Sequence, residues 1–123
     1  MGDFRQVDAW RVAHALTCDV YRATRAFPKD EQFGLVSQLR RAAVSVGANI
    51  AEGCGRNNNG DLSRHLAIAL GSANELLYLL ELSVDLKFLN DQSLGARAER
   101  LCRMLFAFRA SVARARQRST NSQ

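Results

Sequence analysis

Apolar residues recur every three or four positions through almost the whole chain, and a single proline, Pro28, interrupts it. That period lines up side chains on one face of an α-helix, whereas a half-buried strand needs strict alternation. Four periodic segments predict helices at about 6–26, 31–54, 60–88 and 91–116, followed by a disordered tail over 117–123, where QRSTNSQ has nothing to bury. Helices of this length with short connections specify an all-α, antiparallel up-and-down four-helix bundle, in one domain spanning 1–123.

The inward lines follow from the same spacing. Helix 1 offers Val7, Trp10, Ala13, Leu16 or Thr17, Val20 or Tyr21, and Thr24; helix 2 offers Leu35, Leu39, Ala42, Val46 and Ile50. Helix 3 carries Leu62, Leu66, Ala69, Ala73, Leu76, Leu80 and Ser83, a heptad-like alternation of fours and threes. Leu94, Leu101, Leu105, Phe108 and Val112 point inward from helix 4, and Phe106 is expected to join the core. Asp30, then Asn59 or Asp61, then Asn90 or Asp91 are the candidate N-caps.

The charge is uneven. Residues 1–90 hold two Lys and eight Arg against ten acids, whereas residues 91–123 hold seven Arg against Asp91 and Glu99, so the whole net charge of +5 sits in the last quarter. Arginine suits phosphate contacts better than lysine. The candidate nucleic-acid contacts are therefore Arg97, Arg100, Arg103, Arg109, Arg114, Arg116 and Arg118, of which the first three recur every three residues as a slowly drifting stripe. No aromatic other than Phe106 and Phe108 interleaves them, so backbone contact without base readout is expected. A solvated basic face is the alternative.

No apolar run approaches the roughly 20 residues of a membrane span. The start MGDFRQVDAWR lacks the layout of a signal peptide, and Gln6 fails the myristoylation pattern, so a cytoplasmic protein is expected, with no membrane partner. Cys18, Cys54 and Cys102 are odd in number and form no CxxC, which argues against a disulfide framework or zinc site and favours small apolar residues, or in Cys54 a partly exposed reactive thiol.

Catalytic patterns are equally sparse. His14 precedes Cys18 by four residues, but no third residue orients such a pair. His65 sits beside the inward Leu66 and reads as a partly buried or interface residue. Gly53-Cys54-Gly55 follows a helix and lacks the Lys-Ser/Thr end of a phosphate loop, and no ExxH pair exists for a di-metal centre. The expectation is a protein that is not an enzyme, with no catalytic residue, cofactor or metal.

The segment RRAAVSVGANIAEG, residues 40–53, sets charges among small residues. Ala43, Gly47 and Ala51 share one side of helix 2, and Ala67, Gly71 and Ala73 give helix 3 a small patch, so a close helix contact is expected there. Arg41 and Glu52 are 11 residues apart, as are Arg64 and Glu75. In a hairpin centred near residue 58 these pair as Arg41–Glu75 and Glu52–Arg64, with Asn49 and Asn74 filling hydrogen-bond gaps. Arg40 is left without a partner and is the candidate for a ligand or another subunit.

Phe33-Gly34-Leu35, QLRRAAVSVGANIAEG with Arg56 after it, and ALGSANEL in helix 3 carry a resemblance, together with DAWRVAHAL and FPKDEQFGL. The chain resembles, over roughly Phe4 to Phe108, the bacterial four-helix-bundle proteins encoded in intervening sequences of large-subunit ribosomal RNA genes, which are related to the accessory variability proteins of diversity-generating retroelements. The resemblance implies a protomer that assembles as a ring, typically a homopentamer. The retroelement relatives bind nucleic acid and a reverse transcriptase, so RNA or DNA and a nucleic-acid enzyme are the implied partners. The motif transfers to Arg40, Arg41, Asn49, Glu52, Gly53, Gly71, Ser72 and Glu75. Departures are His65, where the family usually has an aromatic, and Leu77, where a second glutamate is common. The function expected is a non-enzymatic oligomeric module binding RNA or DNA through the helix 4 arginines, with Arg40 as a further candidate contact, and a protein-interaction scaffold is the alternative.

Overall fold

The computed structural model describes residues 2–121. The helices are α1 (Asp8–Thr24), α2 (Leu35–Cys54), α3 (Asn59–Asp85) and α4 (Ser93–Asn121), with 3-10 turns at Phe4–Gln6 and Lys29–Glu31; no strand occurs among the described residues. α1 packs on α2, α2 on α3, α3 on α4, and α4 back on α1, closing a four-helix square whose most extensive contact is α2 with α3. Trp10 lies by Gly47, Thr17 by Ala43 and Thr24 by Arg40, so numbers fall along α2 as they rise along α1. The bundle is antiparallel.

All seven inward positions read for helix 3 and all five for helix 2 are buried. On α1 the buried line is Ala9, Ala13, Leu16, Val20 and Thr24, while Tyr21 turns outward. Leu101, Leu105 and Val112 face inward from α4 as expected, joined by Ala98. Phe106 does not: it is 68% exposed, because one step past the buried Leu105 swings the side chain about 100° round the helix.

The starts of α2 and α3 and the end of α4 differ from expectation, whereas α4 begins at one of its expected caps. Asp30 does not cap α2; it lies in the 3-10 turn, and the Glu31 carboxylate instead accepts from the Leu35 amide at 3.1 Å. Asn58, rather than Asn59 or Asp61, caps α3 by accepting from the Asp61 amide at 2.8 Å. Asp91 accepts from the Ser93 amide at 3.0 Å and opens α4. The tail is the larger correction: α4 continues through Asn121, with the Thr120 hydroxyl donating to the Arg116 carbonyl. Alanine and arginine favour the helix and no Gly or Pro stops it, so it extends past its last buried residue. Residues 122–123 of the expected tail lie outside the described residues.

By length and composition α3 is also long and apolar enough to cross a membrane, with mean hydropathy 1.3 over its best window, although its apolar residues form no unbroken run. Its buried apolar residues form the bundle's core stripe, while Ile68 and Tyr78 stand exposed with Arg64, Glu75 and Glu81 on the outward face.

The α3–α4 connection turns through Lys87, whose φ of 66° is the one positive value outside glycine among the described residues. The Lys87 amide donates to the Val84 carbonyl and the Phe88 amide to the Ser83 carbonyl, each at 2.9 Å. This is the Schellman pattern, with lysine where glycine is favoured. The Phe88 ring then packs at a tilt against Phe27, centroids 5.5 Å apart, and joins the two connections at this end of the bundle. Relief of the left-handed strain in Lys87→Gly should raise unfolding stability by about 1 kcal/mol, read as a higher denaturant midpoint at unchanged slope. An unchanged or lower midpoint would contradict this account of the turn.

Candidate nucleic-acid interface

The segment RRAAVSVGANIAEG forms a helix seam, but through other residues than its spacing indicates. Ser45, Asn49 and Gly53 face α3. The Ser45 and Ser72 hydroxyls are 2.8 Å apart, and Asn49 Oδ1 lies 3.1 Å from His65 Nδ1. Because Asn49 Nδ2 donates to the Ser45 carbonyl and hydroxyl, its Oδ1 takes the imidazole proton. That bond fixes the Nδ1–H tautomer of His65, which is only 5% exposed, and leaves Nε2 buried with no partner among the described residues. A Cβ on Gly53 would stand 2.9 Å from the His65 Cβ, so Gly53 is the glycine the contact requires.

Ala43 and Gly47 instead face α1. The Thr17 hydroxyl donates to the Ala43 carbonyl at 3.1 Å, and a Cβ on Gly47 would meet the Trp10 indole at 3.6 Å. Gly71 is exposed, with open space where a Cβ would stand. The expected charge ladder is absent. Glu52 pairs with Arg56 at 3.0 Å and Arg64 with Asp61 at 3.8 Å, each within its own turn, while Arg41 and Glu75 point outward without a salt-bridge partner among the described residues. Asn74 donates to the Leu70 carbonyl on its own helix and bridges no second helix among the described residues.

Arg40 is not partnerless. Its Nε donates to the Thr24 hydroxyl at 3.0 Å, its Nη2 to the Tyr21 carbonyl at 3.3 Å, and the guanidinium lies 4.6 Å over the Tyr21 ring. It therefore caps the C-terminal turn of α1.

The α4 arginines divide into two groups. Arg97 turns toward α1 and donates to Asp19 at 2.8 Å, and Arg103 pairs with Glu99 at 3.1 Å. The first is a bond across 78 residues, with no trace in local spacing; the second is an ordinary i,i+4 pair. Arg100, Arg109, Arg114 and Arg116 are exposed and have no acid within salt-bridge range among the described residues. Arg114 and Arg118 follow Arg100 by 14 and 18 positions, close to whole turns, so the three share the outer face of the helix over roughly 27 Å. Arg109 and Arg116, seven apart, share the edge toward α3, where Arg116 lines a shallow cleft with Asn57, Asn58 and Gly60.

The acids at this end of the bundle are already taken. Asp3 pairs with Arg5, Asp8 with Arg11, Glu52 with Arg56 and Asp61 with Arg64. Arg109, Arg114 and Arg116 have no neutralising carboxylate among the described residues, and they lie on a helix end that buries nothing after Val112.

Cys54 is buried, not partly exposed, and burial raises its thiol pKa, as it does for Cys102. Cys18 Sγ lies 3.9 Å from His14 Nε2, but that imidazole stacks on Trp10 at 4.8 Å and no carboxylate among the described residues orients it. Among the described residues no group of three His, Cys, Asp or Glu could hold a metal.

Two predictions test this geometry. Gly53→Ala should lower stability by about 1–3 kcal/mol through overpacking at the seam, whereas Gly95→Ala, in open space on α4, should be neutral or stabilising by up to about 1 kcal/mol; denaturant midpoints read both. The hydrogen bond from Arg97, then that from Arg22, holds the Asp19 carboxyl below its ordinary value. The folded state thus gains from this group above the ordinary carboxylate pKa and loses that gain as pH falls through the lowered one. In Arg97→Gln the Asp19 midpoint, followed by carboxyl NMR, should move up toward the ordinary value; no movement would remove Arg97 as the main cause.

Comparison with known proteins fits this fold. A crystal structure of a protein with unknown function from the S23 ribosomal protein family of Bacteroides thetaiotaomicron VPI-5482 superposes with a TM-score of 0.75 at 22% identity, covering 83% of this chain and 95% of that one. At that identity the likeness concerns the fold alone. No curated protein matches the chain. The sequence matches the 23S rRNA-intervening sequence protein family over residues 5–107, which takes in α1, α2, α3 and half of α4, and the chain belongs to that family.

Proposed function

We propose that the protein is a non-enzymatic homo-oligomer, a pentameric ring, that binds RNA or DNA through phosphate contacts from the C-terminal half of α4. The observation that carries this reading is the imbalance at one end of the bundle. Four arginines there are matched by four acids, and Arg109, Arg114 and Arg116 are not. An unneutralised row of guanidinium groups on an exposed helix suits the phosphate backbone, whose recognition releases counterions and needs no base contact. Arg97 and Arg103, occupied by Asp19 and Glu99, contribute less than their place in the sequence indicates. The family is named for 23S rRNA, which makes a ribosomal RNA helix the first probe.

The ring is supported by the outward face of α2 and α3. Val44, Ile68 and Tyr78 are exposed there beside the open Gly71, and Arg41 and Glu75 offer opposite charges with no partner within the protomer among the described residues. A second copy would cover the apolar residues and pair those charges. The scaffold reading is favoured instead if this face, rather than α4, proves to be the only binding surface.

Binding of RNA and duplex DNA should weaken steeply with salt. The triple variant Arg109→Gln, Arg114→Gln, Arg116→Gln should flatten the log–log salt slope on duplex DNA by about 3, near 0.9 for each phosphate left unneutralised. Absence of binding at low salt would sink the nucleic-acid reading. Light scattering should give a mass about five times the 13.6 kDa protomer, and Gly71→Arg should dissociate the assembly without loss of helix signal, since the residue meets no atom within 4 Å. A monomeric wild-type protein would overturn the ring.

A further inference from the structure

At the opposite end of the bundle, where α1 turns into α2, a notch of about 170 Å³ is lined by Arg25, Lys29 and Arg40, with Thr24, Gln32 and Phe27 among the other walls. We infer that this notch binds a single phosphate group, either free phosphate or the terminal phosphate of a small ester.

The sign of the site is the first reason. Three cationic side chains line it and no carboxylate does. The neighbouring acids are otherwise engaged or turned away. Glu31 is spent on the Leu35 amide, Asp19 on Arg22 and Arg97, and Asp30 lines no part of the notch. The contrast with the depression between α1 and α4 is direct, since there Arg22 and Arg97 meet Asp19 and Asp91 within one set of walls.

Preorganisation is the second. Arg40 is half-buried and held on three sides, by the Thr24 hydroxyl, the Tyr21 carbonyl and the Tyr21 ring. Those contacts use Nε and one Nη2 hydrogen, so three of the five guanidinium hydrogens remain for an anion. A half-buried cation without a counter-charge is unfavourable, and an oxyanion in the notch supplies that charge.

The local backbone does not oppose it. The last four carbonyls of α1 would repel an anion if bare, yet each is covered. Arg40 covers Tyr21, the Arg25 amide covers Arg22, the Ala26 amide covers Ala23 and the Phe27 amide covers Thr24. Size sets the ligand class. The volume falls below the roughly 300 Å³ at which drug-sized ligand pockets begin, so it admits a phosphate group but not a nucleotide base beside it. The site is separate from α4 and stands whether or not α4 binds nucleic acid.

The test is a titration of the full-length protein with inorganic phosphate, ribose 5-phosphate and acetate at constant ionic strength, followed by amide and arginine Nε–H NMR signals. Phosphate or the ester should give saturable shifts centred on residues 24–40 with a Kd on the order of 1 mM. Tighter binding of the ester than of free phosphate assigns a terminal phosphate; the reverse assigns the free ion. In Arg25→Gln with Lys29→Gln, two exposed positions, affinity should fall about tenfold or more while the melting midpoint holds. No saturable shift with either phosphate species, equal affinity in the double variant, or acetate binding as tightly as phosphate would overturn the assignment.

Discussion

The close approach of α2 and α3 at Gly53 is the constraint on which the rest of this bundle depends. A hydrogen in place of a side chain lets the His65 Cβ come within 2.9 Å of where a Cβ would stand and the Leu62 side chain within 3.1 Å. That proximity brings the imidazole to Asn49, and Asn49 in turn to the backbone and hydroxyl of Ser45. One turn further along, Ser45 meets Ser72. These groups lie between large apolar residues that pack in many registers at similar energy, whereas a hydroxyl pair and an amide–imidazole bond form in one. Their role is specificity of alignment more than net stability, consistent with the orphan Nε2 that the seam tolerates.

How far this seam was legible in the sequence depends on which coordinate of the helix is asked for. The level along the axis was legible. A hairpin centred near residue 58 follows from charge spacing, and the Asn49–His65 and Ser45–Ser72 contacts have their midpoints at residues 57 and 58.5. The azimuth was not. Arg41 and Glu75 sit at matching heights but point outward, while the seam is Ser45, Asn49 and Gly53, two positions on from the line Ala43, Gly47 and Ala51. Both lines repeat every four residues, both contain one glycine, and both face a helix. Spacing alone cannot say which neighbour each faces, because that is settled by how α1 and α3 flank α2. A sharper signal was present in the polar residues. Serine and asparagine between apolar positions need partners when half-buried, and α3 offered Ser72 and His65 at matching levels.

The core was read more fully than the surface, for a physical reason. Burial on α2 and α3 is dictated by a 3.6-residue period that any local window displays, so every inward residue named for those helices is buried. Charge pairing is dictated by rotation and by long-range neighbours. Short pairs such as Glu52–Arg56 and Glu99–Arg103 are visible as i,i+4 spacings, but Asp19–Arg97 spans 78 residues and appears only once α1 and α4 close the square. The same closure explains Arg40, whose partners on α1 are fixed by the antiparallel α1–α2 packing rather than by its own helix. Phe106 is exposed for the opposite reason: it is a large apolar ring, but its azimuth lies outside the α4 core stripe.

Taken residue by residue, these pairings redistribute the basic character that composition assigns to the last quarter of the chain. Asp19 and Glu99 remove Arg97 and Arg103 from an apparently continuous stripe and leave Arg100 alone there, with most of the surplus beyond Phe108. At the other end the surplus is smaller but better held, since Arg40 is fixed by a carbonyl, a hydroxyl and a ring before any ligand arrives. The two ends therefore suit different ligands. A solvent-facing row of guanidinium groups on an exposed helix adapts to a long polyanion and is screened by salt. A half-buried, preorganised arginine in a small notch suits one compact anion and is screened less. The four-helix square keeps them apart, because antiparallel helices place the α1–α2 corner and the end of α4 at opposite ends of the molecule, and neither site can borrow charge from the other.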